Sequence, residues 1–232
     1  MPSLLPMAIS LVTSSAAAFG NSSATTSAIN TTGANCLIMW IGAWRGTQPA
    51  PSVAVSDSKG NTWTALNGSG NSTTDGCFFY CLNPTVGSGH TATVNNSVNA
   101  NWACICLMSF SGVGSVDTPQ STSVSSALVT SLATGSVTPN QANSLIVAGL
   151  QYYDFGNSGI VPSINSGFTR VAELHLNSQA PDTCVGYLIQ SAAAAVNPTF
   201  SFGSTNPVAT SAAAVFGPQL SGLRQLAALG AG

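Results

Sequence analysis

Charged side chains are scarce in this sequence. Its 232 residues include four Lys or Arg and six Asp or Glu, so 4% are charged, where about 25% is usual. Binding to a phosphate backbone or to an anionic membrane surface requires several Lys or Arg contacts. We therefore expect neither nucleic acid nor a membrane as a partner. A formal net charge of −2 also means little repulsion between copies, which favours association.

Long apolar runs are missing as well. No stretch approaches the roughly 18 apolar residues of a transmembrane helix, and nothing has the period of a long amphipathic helix. The N-terminal segment MPSLLPMAISLVTSSAAAFG partly resembles a secretion signal, but it lacks a basic start and Pro2 and Pro6 interrupt its apolar run. We interpret residues 7–13 as a first strand.

Motifs for catalysis are absent. His90 and His175 are the two histidines, and no G-x-S-x-G sequence supplies a nucleophile for them. The six acidic residues are scattered, mostly in turn-rich stretches, so no carboxylate pair is indicated. No phosphate-binding glycine loop, redox C-x-x-C or dinucleotide motif occurs. We expect a protein that is not an enzyme and needs no cofactor.

The cysteines lie in apolar, strand-like runs, where a free thiol behaves as a small hydrophobic group. Six are present: Cys36, Cys77, Cys81, Cys104, Cys106 and Cys184. Buried free thiols are the favoured interpretation, and disulfides are an alternative because the count is even. A metal site combining the pair at 77 and 81 with the pair at 104 and 106 would lack the usual C-x-x-C turn. We expect no metal site.

Alternating and short apolar runs separated by turn residues predict an all-β fold. Four blocks recur in the same order at an offset of about 105 to 108 residues; ANCLIMWIGAW and ANSLIVAGLQYY form the first pair. We predict a jelly-roll-like β-sandwich built from two internally similar halves, and two tandem Ig-like sandwiches are the alternative. The predicted parts are an N-terminal strand and arm (1–30), the sandwich (31–217, with halves 31–113 and 142–217 joined by the connection 114–141) and a tail (218–232).

The segment VSDSKGNTWTAL, residues 55–66, contains one of the few cations. Asp57 can accept hydrogen bonds from nearby backbone amides, and Gly60 can adopt the left-handed conformation of a turn. We interpret the segment as the tip of a β-hairpin. Calcium binding by Asp57 and Asn61 is disfavoured because Lys59 would repel the ion.

Two surface sites are predicted. Beyond Pro218 the β pattern stops, and Leu220, Leu223, Leu226 and Leu229 follow. Burying each leucine is worth about 1.5 to 3 kcal/mol, so we expect this tail to dock on a neighbouring subunit or on a capsid. Tyr152, Tyr153, Asp154 and Phe155 combine rings with polar groups, as carbohydrate sites do. They are candidate glycan contacts, but the favoured interpretation of the two tyrosines is that they end a strand.

The blocks SDSKGNTWTAL, NPTVGSGHTATV, SGFTRVAEL and VGYLIQ with NPTFSF resemble β-sandwich proteins of tailed bacteriophages and prophages. The resemblance covers about residues 30–216 and its motifs are structural, so it transfers no functional residue. It implies a virion structural protein on the capsid exterior, assembled in the host cytoplasm. The resemblance implies a capsid decoration (cement) protein that forms a homotrimer and binds the major capsid protein. The alternative is a tail or fibre module that binds a host glycan.

Overall fold

The computed structural model describes residues 5–20, 23–44, 53–95, 102–153, 160–165, 167–175, 182–203 and 207–221. Strands of the first half are β1 (Ser10–Ser14), β2 (Ala18–Gly20), β3 (Ser23–Thr25), β4 (Cys36–Trp44), β5 (Ala54–Asp57), β6 (Thr64–Gly70), β7 (Thr74–Leu82), β8 (Ala92–Asn95) and β9 (Trp102–Ser111). Those of the second half are β10 (Val113–Ser125), β11 (Ser131–Ala133), β12 (Ser144–Tyr153), β13 (Ser163–Ile164), β14 (Thr169–Leu174), β15 (Asp182–Gln190), β16 (Thr199–Ser201) and β17 (Val208–Pro218). Among the described residues, no helix is long and apolar enough to cross a membrane.

The two halves have the same strand order. A large sheet β1-β9-β4-β7-β6, with β2 also on β9, corresponds to β10-β17-β12-β15-β14, and the small sheet β3-β8-β5 corresponds to β11-β16-β13. In each half the first strand pairs with the last, and the chain passes repeatedly between the large and the small sheet, as in a jelly roll. The predicted all-β, jelly-roll-like sandwich of two similar halves is confirmed.

The two large sheets pack face to face. Ile38 and Trp40 on β4 lie in one apolar cluster with Leu145 and Val147 on β12 and Phe216 on β17. The opposite faces of the large sheets pack toward the small sheets, in separate clusters within each half. Because β4 and β12 are covered on both faces, their sequences are apolar almost throughout rather than alternating.

One end of this interface is polar. Gln151 is fully buried, and neither atom of its amide group has a nitrogen or oxygen partner within the described part of the chain. Its amide is hydrogen-bonded to the thiol of Cys104, a weak hydrogen-bonding group. Across the same interface, Ser69 Oγ lies 2.6 Å from Thr210 Oγ1. The halves are therefore joined by apolar packing and a few neutral hydrogen bonds.

Strand boundaries differ from the sequence prediction in two places. Residues 114–141, predicted as a connection, contain most of β10 and all of β11. The Ser, Thr and Val residues of this segment are suited to a strand edge, and β10 pairs with β17 just as β1 pairs with β9. The strand predicted at residues 7–13 corresponds to β1, whereas β2 and β3, within the predicted N-terminal arm, are further strands of the first half.

Candidate interaction surface

The two ends of the described chain lie side by side. Pro6 and Leu220 form an antiparallel bridge, Met7 N–H donates to Gln219 O at 2.6 Å, and Ser221 N–H donates to Leu5 O at 2.8 Å. This short ladder joins the segment that leads into β1 with the segment that follows β17. The ends of the two halves are thus connected to each other.

Asn35 fixes this ladder to the body of the protein. Its Nδ2 donates to Val113 O at 2.6 Å and to Gln219 Oε1 at 3.0 Å, and its Oδ1 accepts from Val113 N–H at 3.1 Å. Gly112 lies beneath with φ of +77°, and a side chain there would approach Ile9 Cα to 3.1 Å. Residues 5–9 and 219–221 therefore have a defined position against the body of the protein.

An apolar groove lies beside the ladder. It has a volume of about 220 Å³ and is lined by Pro6, Met7, Ala8, Ile9, Asn143 and Ile189. Met7 and Ile189 are each 36% exposed and nearby Leu5 is 67% exposed, whereas Ile9 is buried. None of these described lining residues is charged. We call this feature the terminal groove.

The predicted docking leucines are only partly within the described chain. Leu220 is half-buried against the N-terminal segment of the same chain, through its bridge to Pro6. Leu223, Leu226 and Leu229 lie outside the described residues. Sequence reasoning did not find the terminal groove, because its lining residues lie far apart in the chain.

The predicted glycan site is not supported at Tyr152. This side chain is fully buried, its hydroxyl donates to Ile160 O at 2.8 Å, and its ring centroid lies 5.4 Å from that of Phe202. Its assignment as a glycan contact is therefore wrong, because the side chain points into the core of the second half. Tyr153 is half-buried on the opposite face of β12, and Asp154 and Phe155 lie outside the described residues.

The segment around Asp57 is a corner between sheets. The predicted hairpin is wrong, because β5 pairs with β8 while β6 pairs with β7. The predicted turn contacts do occur: Asp57 Oδ1 accepts from Lys59 N–H at 2.7 Å and from Asn61 N–H at 3.3 Å, and Gly60 has φ of +73°. Lys59 Nζ also donates to Ser88 O at 3.0 Å, so the corner is fastened to the loop before β8.

A buried polar network lies behind this corner. His90 Nδ1 is 2.8 Å from Thr31 Oγ1, and His90 Nε2 is 3.5 Å from Asp57 Oδ1. Burial lowers the pKa of His90, assisted by Lys59 and opposed by Asp57. Burial raises the pKa of Asp57, but hydrogen bonds from Lys59, Asn61 and Trp63 outweigh it and lower the pKa overall. The corresponding bridge of the second half has Val196 in place of His90, so the fold itself does not require this network.

A second His–Asp pair occurs at the edge of the second half. His175 Nδ1 lies 2.8 Å from Asp182 Oδ2, and His175 Nε2 is buried with no hydrogen-bond partner among the described residues. An aspartate that orients a histidine is one part of a hydrolase triad, which also needs a nucleophile. No group of three or more His, Cys, Asp or Glu suited to a metal occurs in the described ranges. The absence of enzymatic activity remains a prediction.

All six cysteines are buried thiols that form no disulfide, as the favoured interpretation predicts. Burial raises the pKa of Cys77, Cys104, Cys106 and Cys184 to about 12. It also raises the pKa of Cys36 and Cys81. Because the thiolate is the reactive form, these side chains are core residues rather than nucleophiles.

The described surface carries very little charge. Asp75, Asp117 and Asp182 are buried, and the side chain of Asp57 has no exposed area. Within the described ranges, the remaining ionic groups are Lys59 and an Arg170–Glu173 pair with atoms 2.8 Å apart. The low charge of the sequence thus becomes an almost neutral outer surface, because folding buries most of the few carboxylates.

Comparisons with known proteins add no assignment. No family model matches the chain, and no curated protein matches it. The solved structure of YhaK from Escherichia coli aligns over 94% of this chain and 89% of its own, with 12% identity and a TM-score of 0.33. PBSX exported protein XepA aligns over 89% and 86%, with 11% identity and a TM-score of 0.24. Oxalate decarboxylase from Bacillus subtilis aligns over 98% and 81%, with 10% identity and a TM-score of 0.23. At such TM-scores these likenesses carry no argument.

Proposed function

We propose that this chain is a structural subunit of a bacteriophage particle and acts as a capsid decoration (cement) protein. The observation that carries the proposal is the almost neutral surface, on which Lys59, Arg170 and Glu173 are the described ionic groups outside the core. A protein that lives free in solution benefits from net charge, which keeps copies apart. A subunit of a permanent assembly does not need it.

Neutral contacts suit a protein that holds a shell together. Ion pairs on a surface are screened as salt rises, with a Debye length of about 8 Å at physiological ionic strength. Apolar area and neutral hydrogen bonds depend far less on salt. The two sheets of each half supply a framework, and the terminal groove supplies an apolar surface.

The proposed partners are other copies of this chain and the major capsid protein. The position on the capsid exterior, assembly in the host cytoplasm and the homotrimer follow from the resemblance to phage sandwich proteins in the sequence. Many copies, each burying a modest area across the seams between shell subunits, would together oppose expansion of the shell. This activity involves no turnover of a small molecule.

The test uses particles of the phage whose genome encodes the chain. We expect hundreds of copies per purified particle by gel densitometry, and shells lacking the protein should release DNA at a lower temperature. Adding back the purified protein should restore the release temperature. Absence from particles, or unchanged release without the protein, would exclude the decoration role.

The same measurement separates the alternative, a tail or fibre module that binds host glycans. That role predicts few copies per particle, at the tail, together with binding on a glycan array that Tyr153→Ala abolishes. Tyr153 is the described member of the predicted cluster that is not fully buried. Full glycan binding by the Tyr153→Ala variant would remove this site from consideration.

A further inference from the structure

The described chain stops beside an apolar groove that it does not fill. Ser221 N–H donates to Leu5 O, and residues 222–232 follow with leucines at 223, 226 and 229. These eleven residues could span at most about 36 Å if extended. An uncharged groove with two half-exposed apolar side chains, Met7 and Ile189, therefore lies within reach of a leucine-rich segment.

The direction of residues 219–221 indicates whether this segment meets the groove of its own copy or that of a second copy. Residues 219–221 run antiparallel to residues 5–7, as the Pro6–Leu220 bridge and the two flanking backbone hydrogen bonds require. The described chain therefore ends at Ser221, opposite Leu5. The groove is lined by residues 6–9, which lie in the opposite direction. The described end of one copy therefore points away from residues 7–9 of its own groove.

We propose that residues 222–232 of one copy occupy the terminal groove of a second copy, so that the leucines cover the exposed parts of Met7 and Ile189. This inference rests on the proposed assembly function and names the contact that would join neighbouring copies. Each copy offers both a tail and a groove on the same terminal surface. The exchange can therefore be reciprocal within a pair or continue around a closed ring.

The chemistry of the two partners matches. The side chains that line the groove are apolar except for the amide of Asn143, and the segment is apolar except for Arg224 and Gln225. A volume of about 220 Å³ accommodates leucine side chains but no folded element. The near-neutral surface around the groove offers no charge repulsion between copies.

The experiment is disulfide trapping between two variants of the full chain. Met7→Cys protein is mixed with Leu223→Cys, Leu226→Cys or Leu229→Cys protein, under mild oxidation, and products are separated on non-reducing gels. Three tail positions are used because a disulfide forms only when the Cα atoms lie about 4.4 to 6.8 Å apart. The native thiols are buried with raised pKa values, so they do not compete.

We expect a covalent heterodimer with at least one tail position, at least ten times more than with Val124→Cys as the matched control. Val124 is exposed and lies on β10, away from the residues that line the groove. A second arm places Met7→Cys and the trapped tail position in one chain. If disulfides in that arm formed only within single chains, the exchange between copies would be refuted, and the tail would be shown to dock on the groove of its own copy.

No tail position exceeding the Val124→Cys control would overturn docking altogether. The result of this trapping experiment can be distinguished from the result of the test of the capsid role. Trapping without decoration of shells would leave the exchange standing and remove the capsid role. Decoration of shells by a chain that gives no heterodimer would remove the exchange and leave the capsid role.

Discussion

Replacing Gly149 by alanine is expected to destabilise the protein, because Gly149 makes room for Trp40 where the two halves meet. A Cβ atom at Gly149 would lie closer than 3.0 Å to several ring atoms of Trp40, including Cζ3 at 2.7 Å. Carbon atoms in contact are normally about 3.5 to 4.0 Å apart. The substitution therefore inserts a methyl group into space that the indole already occupies.

Trp40 has little freedom to move aside. Its ring is fully buried, its Nε1–H donates to Thr183 Oγ1 at 2.8 Å, and its centroid lies 4.7 Å from that of Phe78. Overpacking of this kind costs about 1 to 3 kcal/mol, while alanine recovers about 0.5 to 1 kcal/mol of backbone entropy relative to glycine. We expect Gly149→Ala to lower the free energy of unfolding by about 1 to 2 kcal/mol.

The assay is guanidinium unfolding followed by far-UV circular dichroism, with an unchanged dependence on denaturant as the sign that the fold is kept. Gly186→Ala is the matched control on the same sheet, where the nearest atom to a new Cβ, Thr169 O, is 3.2 Å away. That variant should stay within about 1 kcal/mol of the natural protein.

Trp40→Leu supplies the second half of a double-mutant cycle. Alone it should cost about 2 to 4 kcal/mol through lost packing, but with Gly149→Ala the methyl group has space. The double variant should therefore be at least about 1 kcal/mol more stable than the sum of the single effects. Additive effects, or a Gly149→Ala variant as stable as Gly186→Ala, would refute this account of the interface.

Four further outcomes are expected. Asp57→Asn should lower stability at pH 7 and make stability depend less on pH in the acid range. The lowered pKa of Asp57 in the folded protein adds stability that is fully present above about pH 4 and is lost as the pH falls through that pKa. An unchanged acid dependence in denaturant titrations would contradict this prediction. Gln151→Met should raise stability by about 1 kcal/mol, because the weak hydrogen bond to the Cys104 thiol does not offset the cost of burying the amide. A loss of stability on unfolding curves would disprove this. Tyr152→Phe should cost about 0.5 to 1.5 kcal/mol for its hydrogen bond to Ile160 and leave glycan-array binding unchanged. Native protein at pH 8 should react with Ellman's reagent at none of its buried thiols, and all six should react after unfolding; rapid labelling of the folded chain would contradict the assignment.

Much of the architecture could be read from local patterns. Short apolar runs and turn residues predicted the strands, and the repeat at about 105 to 108 residues predicted two similar halves. Both follow from properties that neighbouring residues share. The cysteine environments were predictable for the same reason, since each thiol lies within an apolar strand such as β4 or β9.

The sequence predicted less well which strands pair with each other and which face of a strand is buried. The segment at 55–66 has residues suited to a turn, but β5 and β6 do not pair with each other. β5 pairs with β8 and β6 pairs with β7, so the two strands belong to different sheets. Tyr152 and Tyr153 show the effect of side-chain alternation along a strand. Neighbouring residues point to opposite faces, so only packing against the small sheet shows that Tyr152 is inside.

The sequence by itself determined the all-β class, the duplication and the near absence of charge, because these depend on composition and on periods of a few residues. Only the tertiary structure decided that most of the carboxylates are buried, that β10 completes the second sheet, and that residues 5–7 pair with residues 219–221 beside an apolar groove. Those features join residues as far as 216 positions apart, as in the hydrogen bond from Leu5 N to Ser221 Oγ. Local preference does not encode contacts at such separation, since they exist only once the whole sandwich has closed.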